Sequence, residues 1–340
     1  MPLTSSRRYP RMACVGEVDL DALKQAVAAE NAGWVPRDNV LLRLPEQQQR
    51  LRLGLQPDVG RLGWLRQQPE PDVSQLIAET TVRLQQPAPS ERSPLLEVTA
   101  QAARAASALR REVEKLTEVA PWFLRWLFHV DWRDRFGLEA VSGVKDQSAC
   151  GSCVAFAAIA TLESMLVIER NQSSDLSEAE LLFCGGGSCK GWWPDNAIDY
   201  LGNRGVGQQE CFRYEAHDMP CQTCSRRDGQ AIKITRTTTL FDVDQRKDYL
   251  ALVGPMMGAF SVYTDFYAYS SGVYSHVTGE QLGGHCVEVI GYDDYLGCWI
   301  CKNSWGTAWG ESGFFRIAYG QCEIDSTYPF WGVSGTDWWS

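Results

Sequence analysis

The chain has 340 residues, and its 32 Lys and Arg stand against 42 Asp and Glu, a formal net charge of −10. With 44% hydrophobic and 22% charged residues it is a globular chain, long enough for one large domain or two ordinary ones. The acidic balance excludes a dedicated nucleic-acid binder, and no apolar run reaches the roughly 20 residues of a membrane span.

At the N-terminus Arg7, Arg8 and Arg11 are followed only by the short apolar residues 12–15, too few for the core of a signal peptide. Twelve cysteines pull the other way, towards a secreted, periplasmic or vacuolar/lysosomal compartment. The localisation stays open on these two observations. Residues 1–130 hold 17 basic and 15 acidic side chains with one cysteine, Cys14. Residues 131–340 hold 15 basic, 27 acidic and the other 11 cysteines. A slightly basic part therefore precedes a strongly acidic one, and the two should attract.

The first part reads as helices between Pro-containing loops. Asp19 and Asp21 before Leu23 and Val27 signal a helix start. Residues 73–84 form a second candidate and 94–116 a third, the latter with Ala102, Ala105, Leu109 and Val113 roughly on one face. Pro69, Pro71, Pro87 and Pro89 punctuate between them. The dense aromatic run 122–128 reads either as core packing or as a segment that docks in a groove of the second part. The second part begins with an apolar helical pattern over Cys153–Arg170, ended by Asn171 to Ser174. Ser177 starts another helix and 196–202 suit a third. After Arg236 the pattern turns to strands, with 286–292, Cys298–Lys302 and Phe314–Ala318 short, β-rich and bounded by Gly and Asp. Helices first and strands later predict an α+β protein with two lobes.

Chemistry concentrates in three places. Gln147-Ser148-Ala149-Cys150-Gly151-Ser152-Cys153 puts a cysteine at a helix start, where unpaired N–H groups and the helix dipole favour a thiolate. Gly284-His285 enters a strand 132 residues after Cys153, and Asn303-Ser304-Trp305-Gly306 follows at 150. A strand pair turning at Asp293-Asp294 would set His285 beside Asn303. His supplies a base, and an Asn side chain can fix which ring nitrogen carries the proton.

With these residues the chain resembles the papain family of cysteine proteases over about residues 131–330. The motifs that carry the likeness are Val144-Lys145-Asp146-Gln147, Cys150-Gly151-Ser152-Cys153, Gly284-His285 and Cys301-Lys302-Asn303-Ser304-Trp305-Gly306. The spacing itself is a property of that family, so it is a match and not a derivation. The resemblance implies a helical lobe plus an antiparallel β-barrel-like lobe, preceded by a mainly helical N-terminal segment. It implies Cys153 as nucleophile, His285 as its imidazolium partner and proton donor, Asn303 as the group orienting His285, and Gln147 as an oxyanion donor. Gly191, Trp192, Pro194, Gly284 and Trp305 would line the substrate groove, Trp305 shielding the His285–Asn303 bond. Pro194 and the region near Thr327 would line the main specificity pocket. No cofactor or metal is implied.

Three positions depart from the family pattern. Val154 follows the nucleophile where an aromatic residue is usual. Cys286 follows the histidine where a small apolar residue is common. Trp192 stands where the second groove glycine is expected, so its indole could narrow or cap the groove. The resemblance further implies disulfides Cys150–Cys189 and Cys184–Cys221. Closeness in sequence adds Cys211–Cys224 and neighbouring strands add Cys301–Cys322 as candidates, while Cys286 and Cys298 do not fall opposite each other if His285 pairs with Asn303 and are expected as thiols. Two Cys-x-x-Cys elements, Cys221/Cys224 and Cys298/Cys301, raise zinc as a rival, but they sit 74 residues apart.

The function expected is a cysteine-type peptidase acting on peptides or proteins through a thioester, made as a zymogen with residues 1–130 as an intramolecular inhibitor. A transpeptidase or peptide ligase using the same acyl-enzyme, and a catalytically silent peptide-binding homologue, are the alternatives. On that function the aromatic run 122–128 is expected to occupy or abut the groove.

Overall fold

The computed structural model describes residues 18–69, 71, 73, 128–135, 137–224, 227 and 229–338. The helices expected over 94–116 and, beyond Val73, over 73–84 lie outside these residues, as does most of the aromatic run, 122–127.

The first helix, α1 (Leu20–Ala29), begins where expected. The Asp19 carboxylate accepts from the N–H groups of Asp21 and Ala22, which caps two otherwise unpaired donors. Leu23 and Val27, one turn apart, form its buried face and meet the short strand β1 (Trp34–Pro36). Two short helices follow, α2 (Glu46–Arg50) and α3 (Val59–Leu65), with residues 51–58 stretched between them.

The second part is built around α4 (Cys153–Arg170). Fifteen of its 18 residues are buried, so it has no solvent stripe and forms the centre of the core. It ends on Asn171 in the left-handed conformation, φ 52°, a usual helix stop. Ser177 caps the next helical turn by accepting from the Glu180 N–H. There the chain forms a π-helical turn, Glu180–Cys184. The third helix, α5 (Pro194–Asn203), starts two residues before the expected 196, because Pro suits a first-turn position that needs no N–H partner. The helix α6 (Val243–Leu252) was not expected. Asp242 caps it, but its interior is mostly polar and its buried face includes Arg246, so apolar periodicity gave no signal.

Strands β3 (Ile232–Leu240), β4 (Met256–Tyr263), β5 (Tyr269–Tyr274), β6 (Gln281–Asp293), β7 (Cys298–Lys302), β8 (Phe314–Ala318) and β9 (Phe330–Trp338) make one sheet with β1. Its order is β1-β5-β8-β7-β6-β4-β9-β3, and β2 (His129–Asp131) adds to β6. The pairings are antiparallel except for β5 with β8, which run parallel, a departure from the all-antiparallel lobe expected. α4 packs against β6 and β9. β1 pairs with β5, so the N-terminal part extends the sheet of the second part. Trp34 anchors this join, buried against Tyr274 with ring centroids 5.2 Å apart. β4 carries an unbroken buried run from Met256 to Val262. Without alternation it was not legible as a strand.

Disulfides join Cys150 to Cys189, Cys184 to Cys221 and Cys211 to Cys224. These bridges consume Cys221 and Cys224, which removes one of the two elements of the zinc alternative. The expected Cys301–Cys322 bridge is absent, and both are buried thiols. Cys301 is central in β7, paired across to Phe315. Cys322 lies past the end of β8, in a short 3-10 turn, with its thiol facing Tyr274. Cys286 and Cys298 are thiols, as expected.

One buried cation ties α6 to the loop before β9. Arg246 is fully buried and donates to the carbonyls of Leu240, Phe241 and Tyr328. Arg246→Met should leave these acceptors unpaired and destabilise the fold by about 2–4 kcal/mol. Urea unfolding of the two forms measures the difference.

Candidate active site

Cys153 is the first residue of α4 and is a free, buried thiol. β6 brings His285 to it, because the backbone N–H of the next residue, Cys286, faces the Cys153 sulfur. Past the β6–β7 turn, which pairs Glu288 with Lys302, the chain delivers Asn303. His285 Nε2 donates to Asn303 Oδ1 at 2.8 Å. That bond puts the proton on Nε2 and leaves Nδ1, buried and without a hydrogen-bond partner. Trp305 lies against the His285 ring, centroids 4.9 Å apart, and is itself stacked on Tyr267 at 4.7 Å. Both Trp305 and Asn303 are buried, so the bond between His285 and Asn303 is screened from water.

Gln147 is held on both sides. Its Oε1 accepts from the Ser304 hydroxyl at 2.6 Å, and its Nε2 donates to Cys150 O at 2.8 Å. Tyr214 donates its hydroxyl to Gln147 O and meets the Ser152 hydroxyl. Ser304 and Tyr214 were not singled out in the sequence. Ser304 sits inside a quoted motif, whereas Tyr214 carried no signal. Behind Asn303 lies a charge cluster in which Glu163, Glu178, Glu288 and Lys302 are buried and Asp175 is exposed. Lys145 Nζ reaches Glu178 and Asp175 at 2.7 Å and Glu163 at 3.1 Å. Lys302 pairs with Glu288 at 3.4 Å. Such paired charges resist displacement, since removing one leaves another buried and uncompensated.

Residues 52–56 fill the groove, and residues 122–127 of the aromatic run lie outside the described residues. Phe128, the described end of that run, packs on Tyr295 at the β6–β7 turn. Leu55 lies between Trp192 and Gly284. Its N–H donates to Gly284 O at 3.1 Å, Trp192 N–H donates to Gly54 O at 2.7 Å, and Gln56 N–H donates to Trp192 O at 3.1 Å. The pairing with Trp192 is parallel. Gln147 Nε2 also donates to the Arg52 carbonyl at 3.0 Å, and the Gly54 N–H faces the Cys153 sulfur. The sulfur thus meets a donor and not a carbonyl carbon. Gly54 is required by closeness: a methyl there would lie 1.8 Å from Gly151 O. No recognised motif marked this segment, and only the lone glycine between Leu53 and Leu55 hinted at a close approach.

Four arginines fasten the segment. Arg52 pairs with Asp146 at 2.9 Å and Arg61 with Asp195 at 3.2 Å. Arg50 donates to Leu282 O, and Arg66 to the carbonyls of Ser326 and Thr327. Trp192 does not cap the groove. Its indole is buried against Gly185 and Gly187, and only its backbone meets the segment. Gly191 takes φ +123° beside Gly54, and Pro194 opens α5.

Burial beneath the segment sets the protonation of the pair. It pushes the Cys153 thiol up to about 11, and it lowers His285 to about 4 despite the hydrogen bond to Asn303. In this closed state burial disfavours the charged form of both groups, opposite in direction to the ion pair implied by the resemblance. The cause is lost solvation of the charged forms.

The sequence profile of the papain family cysteine proteases matches residues 128–330. Pro-cathepsin H of Mus musculus is 36% identical over 203 residues, which cover 56% of this chain and 60% of that protein. Ananain of Ananas comosus is 36% identical over 214 residues, covering 59% of this chain and 60% of that protein. The chain thus spans about 60% of the length of these curated relatives. Among solved structures, procathepsin B S9 of Trypanosoma congolense superposes with a TM-score of 0.66 over 93% of this chain and 96% of its own, at 22% identity, a likeness of fold.

A neutral buried imidazole makes the closed groove sensitive to acid. An emptied groove returns His285 towards its ordinary value of 6.5, so between there and about 4 the open state binds more protons. With Cys153 removed from the balance, the His285 contribution to closure is therefore fully present above pH 6.5 and is lost progressively as the pH falls to about 4. In a Cys153→Ala chain, hydrogen-exchange protection of the Leu55 and Gln56 amides should drop between pH 7 and pH 4.5. Adding Gly54→Ala should lower that protection at every pH, by about tenfold or more.

Proposed function

The chain belongs to the papain family of cysteine proteases, and on that premise we propose that it is a cysteine peptidase held inactive by its own N-terminal part. The observation that carries the reading is a free thiol at a helix N-terminus, in one groove with an Asn-oriented histidine, covered by a segment of the same chain paired to the groove walls.

Once residues 52–56 leave, water and substrate replace them. His285 then regains the solvation its charged form needs, and the helix dipole favours a thiolate at Cys153. The sulfur attacks a peptide carbonyl carbon and the carbonyl electron pair moves to oxygen. Gln147 Nε2, released from Arg52 O, and the Cys153 backbone N–H stabilise that oxyanion. His285 gives its Nδ1 proton to the departing amine, and a thioester remains. A water then loses a proton to His285 and attacks the thioester, releasing the acid. Asn303 holds the ring throughout, and Trp305 keeps water from their bond. Trp192 and Gly284 offer substrate the backbone groups that now hold Gly54, Leu55 and Gln56.

Two features support the zymogen reading. The segment is paired parallel to Trp192 and turns an N–H towards the nucleophile, so no scissile carbonyl is presented. Its charge also complements the acidic second part, through the pairs with Asp146 and Asp195. Hydrolysis is favoured over ligation because the one local hint of ligation, Trp192 in the groove, is gone: the indole is buried elsewhere.

Incubated in mild acid with a thiol reductant, the wild-type chain should shorten, with a new N-terminus near residue 130. The Cys153→Ala chain should stay intact under the same conditions. N-terminal sequencing of both reads the result, and equal shortening of the two would refute the role of Cys153.

Gln147→Ala should lower kcat of the processed enzyme by about 10²–10³. Steady-state kinetics on a peptide substrate measures it.

A further inference from the structure

Beyond Gln56 the N-terminal part leaves the groove backbone and sets two arginines against the second part. Arg61, on α3, donates Nε and Nη2 to Asp195 Oδ1 at 3.3 and 3.2 Å. Arg66 donates Nη2 to the carbonyls of Ser326 and Thr327, both at 2.8 Å. Asp195 is the second residue of α5, directly after Pro194, and its side chain is 11% exposed. Its other oxygen, Oδ2, accepts from the Trp331 indole N–H at 3.2 Å. Trp331 is fully buried in β9. One carboxylate oxygen is thus fixed by the core, while the other is held by Arg61 of the N-terminal part.

Pro194 and the neighbourhood of Thr327 are the two walls that the family resemblance assigns to the main specificity pocket. When the N-terminal part departs, Arg61 and Arg66 go with it. A shielded carboxylate oxygen and two carbonyls are then left without these donors. A cation that returned to them would recover the charge-assisted bonds that Arg61 and Arg66 make. Asp195 needs no rearrangement to receive it, because the indole already orients it.

We propose that Asp195, with the carbonyls of Ser326 and Thr327, forms a subsite for a basic side chain of the substrate, and that Arg61 and Arg66 are internal stand-ins for it. The enzyme should accordingly prefer Arg or Lys at one of the residues preceding the scissile bond. Arg should exceed Lys, since the Arg61 guanidinium already sets two donors, Nε and Nη2, on Asp195 Oδ1. This assignment rests on the peptidase reading above and adds the class of substrate to it.

The test uses the full chain after its own processing, with each form normalised by active-site titration. Fluorogenic peptides carry Arg, Lys, citrulline or Leu in turn at each of the three positions before the cleaved bond. In the wild type, kcat/KM for Arg should exceed that for citrulline, its uncharged analogue, by at least tenfold at one position. Asp195→Asn should cut that ratio at least tenfold, and Asp195→Glu should restore part of it. Equal turnover of Arg and citrulline peptides, or a ratio untouched by Asp195→Asn, would overturn the assignment and leave Asp195 as a docking point for Arg61 only. The citrulline comparison needs no variant, so equal turnover there overturns the assignment even if Asp195→Asn does not fold. No turnover of any peptide would bring down the peptidase reading together with this assignment.

Discussion

Leu55 lies across the groove with Trp192 on one side and Gly284 on the other, and the condition of every polar group around Cys153 follows from that pairing. It spends the backbone donors and acceptors of the groove walls on the chain's own residues. It brings the Gly54 N–H to the sulfur and the Arg52 carbonyl to Gln147. It also removes water, and a thiol and an imidazole without water stay neutral. Blocking and switching off are therefore one physical event. The same atoms that occupy the groove also withdraw the dielectric that an ion pair needs.

That pairing is short, so it depends on anchors at both ends. Upstream, β1 extends the sheet through β5 and buries Trp34 among tyrosines. Downstream, Arg61 and Arg66 tie α3 to Asp195 and to the 326–327 backbone. Between them Arg52 meets Asp146 while almost fully covered. Attraction between a slightly basic and a strongly acidic part is thus realised by few ion pairs. Two of the four arginines use carbonyls, which keep their acceptor character at any pH. Acid acts on closure through His285, because burial in the closed groove disfavours its charged form.

The reacting groups are braced from behind. Ser304 and Tyr214 hold Gln147, Trp305 and Tyr267 stack beneath His285, and Lys145 and Lys302 neutralise glutamates packed behind Asn303. A site supported in this way need not rearrange when the N-terminal part leaves. Asp195 is braced in the same way, with one oxygen held by the Trp331 indole of the core and the other by Arg61.

Local pattern and motif spacing determined much about this protein. The amphipathic start after Asp19, the apolar helix at Cys153, the three strands 286–292, Cys298–Lys302 and Phe314–Ala318, and the family itself could be read from residue order, because each depends on neighbours close in sequence or on a recurring motif. Only the tertiary structure decided what lies in the groove, where the Trp192 indole goes, and that Cys301 and Cys322 stay apart. These depend on contacts between residues far apart in sequence, such as Gly54 with Gly151 or Leu55 with Gly284. The neutral state of Cys153 and His285 belongs to the same class: it follows from burial by residues about a hundred or more positions upstream, and burial is a property of the folded chain and not of its order.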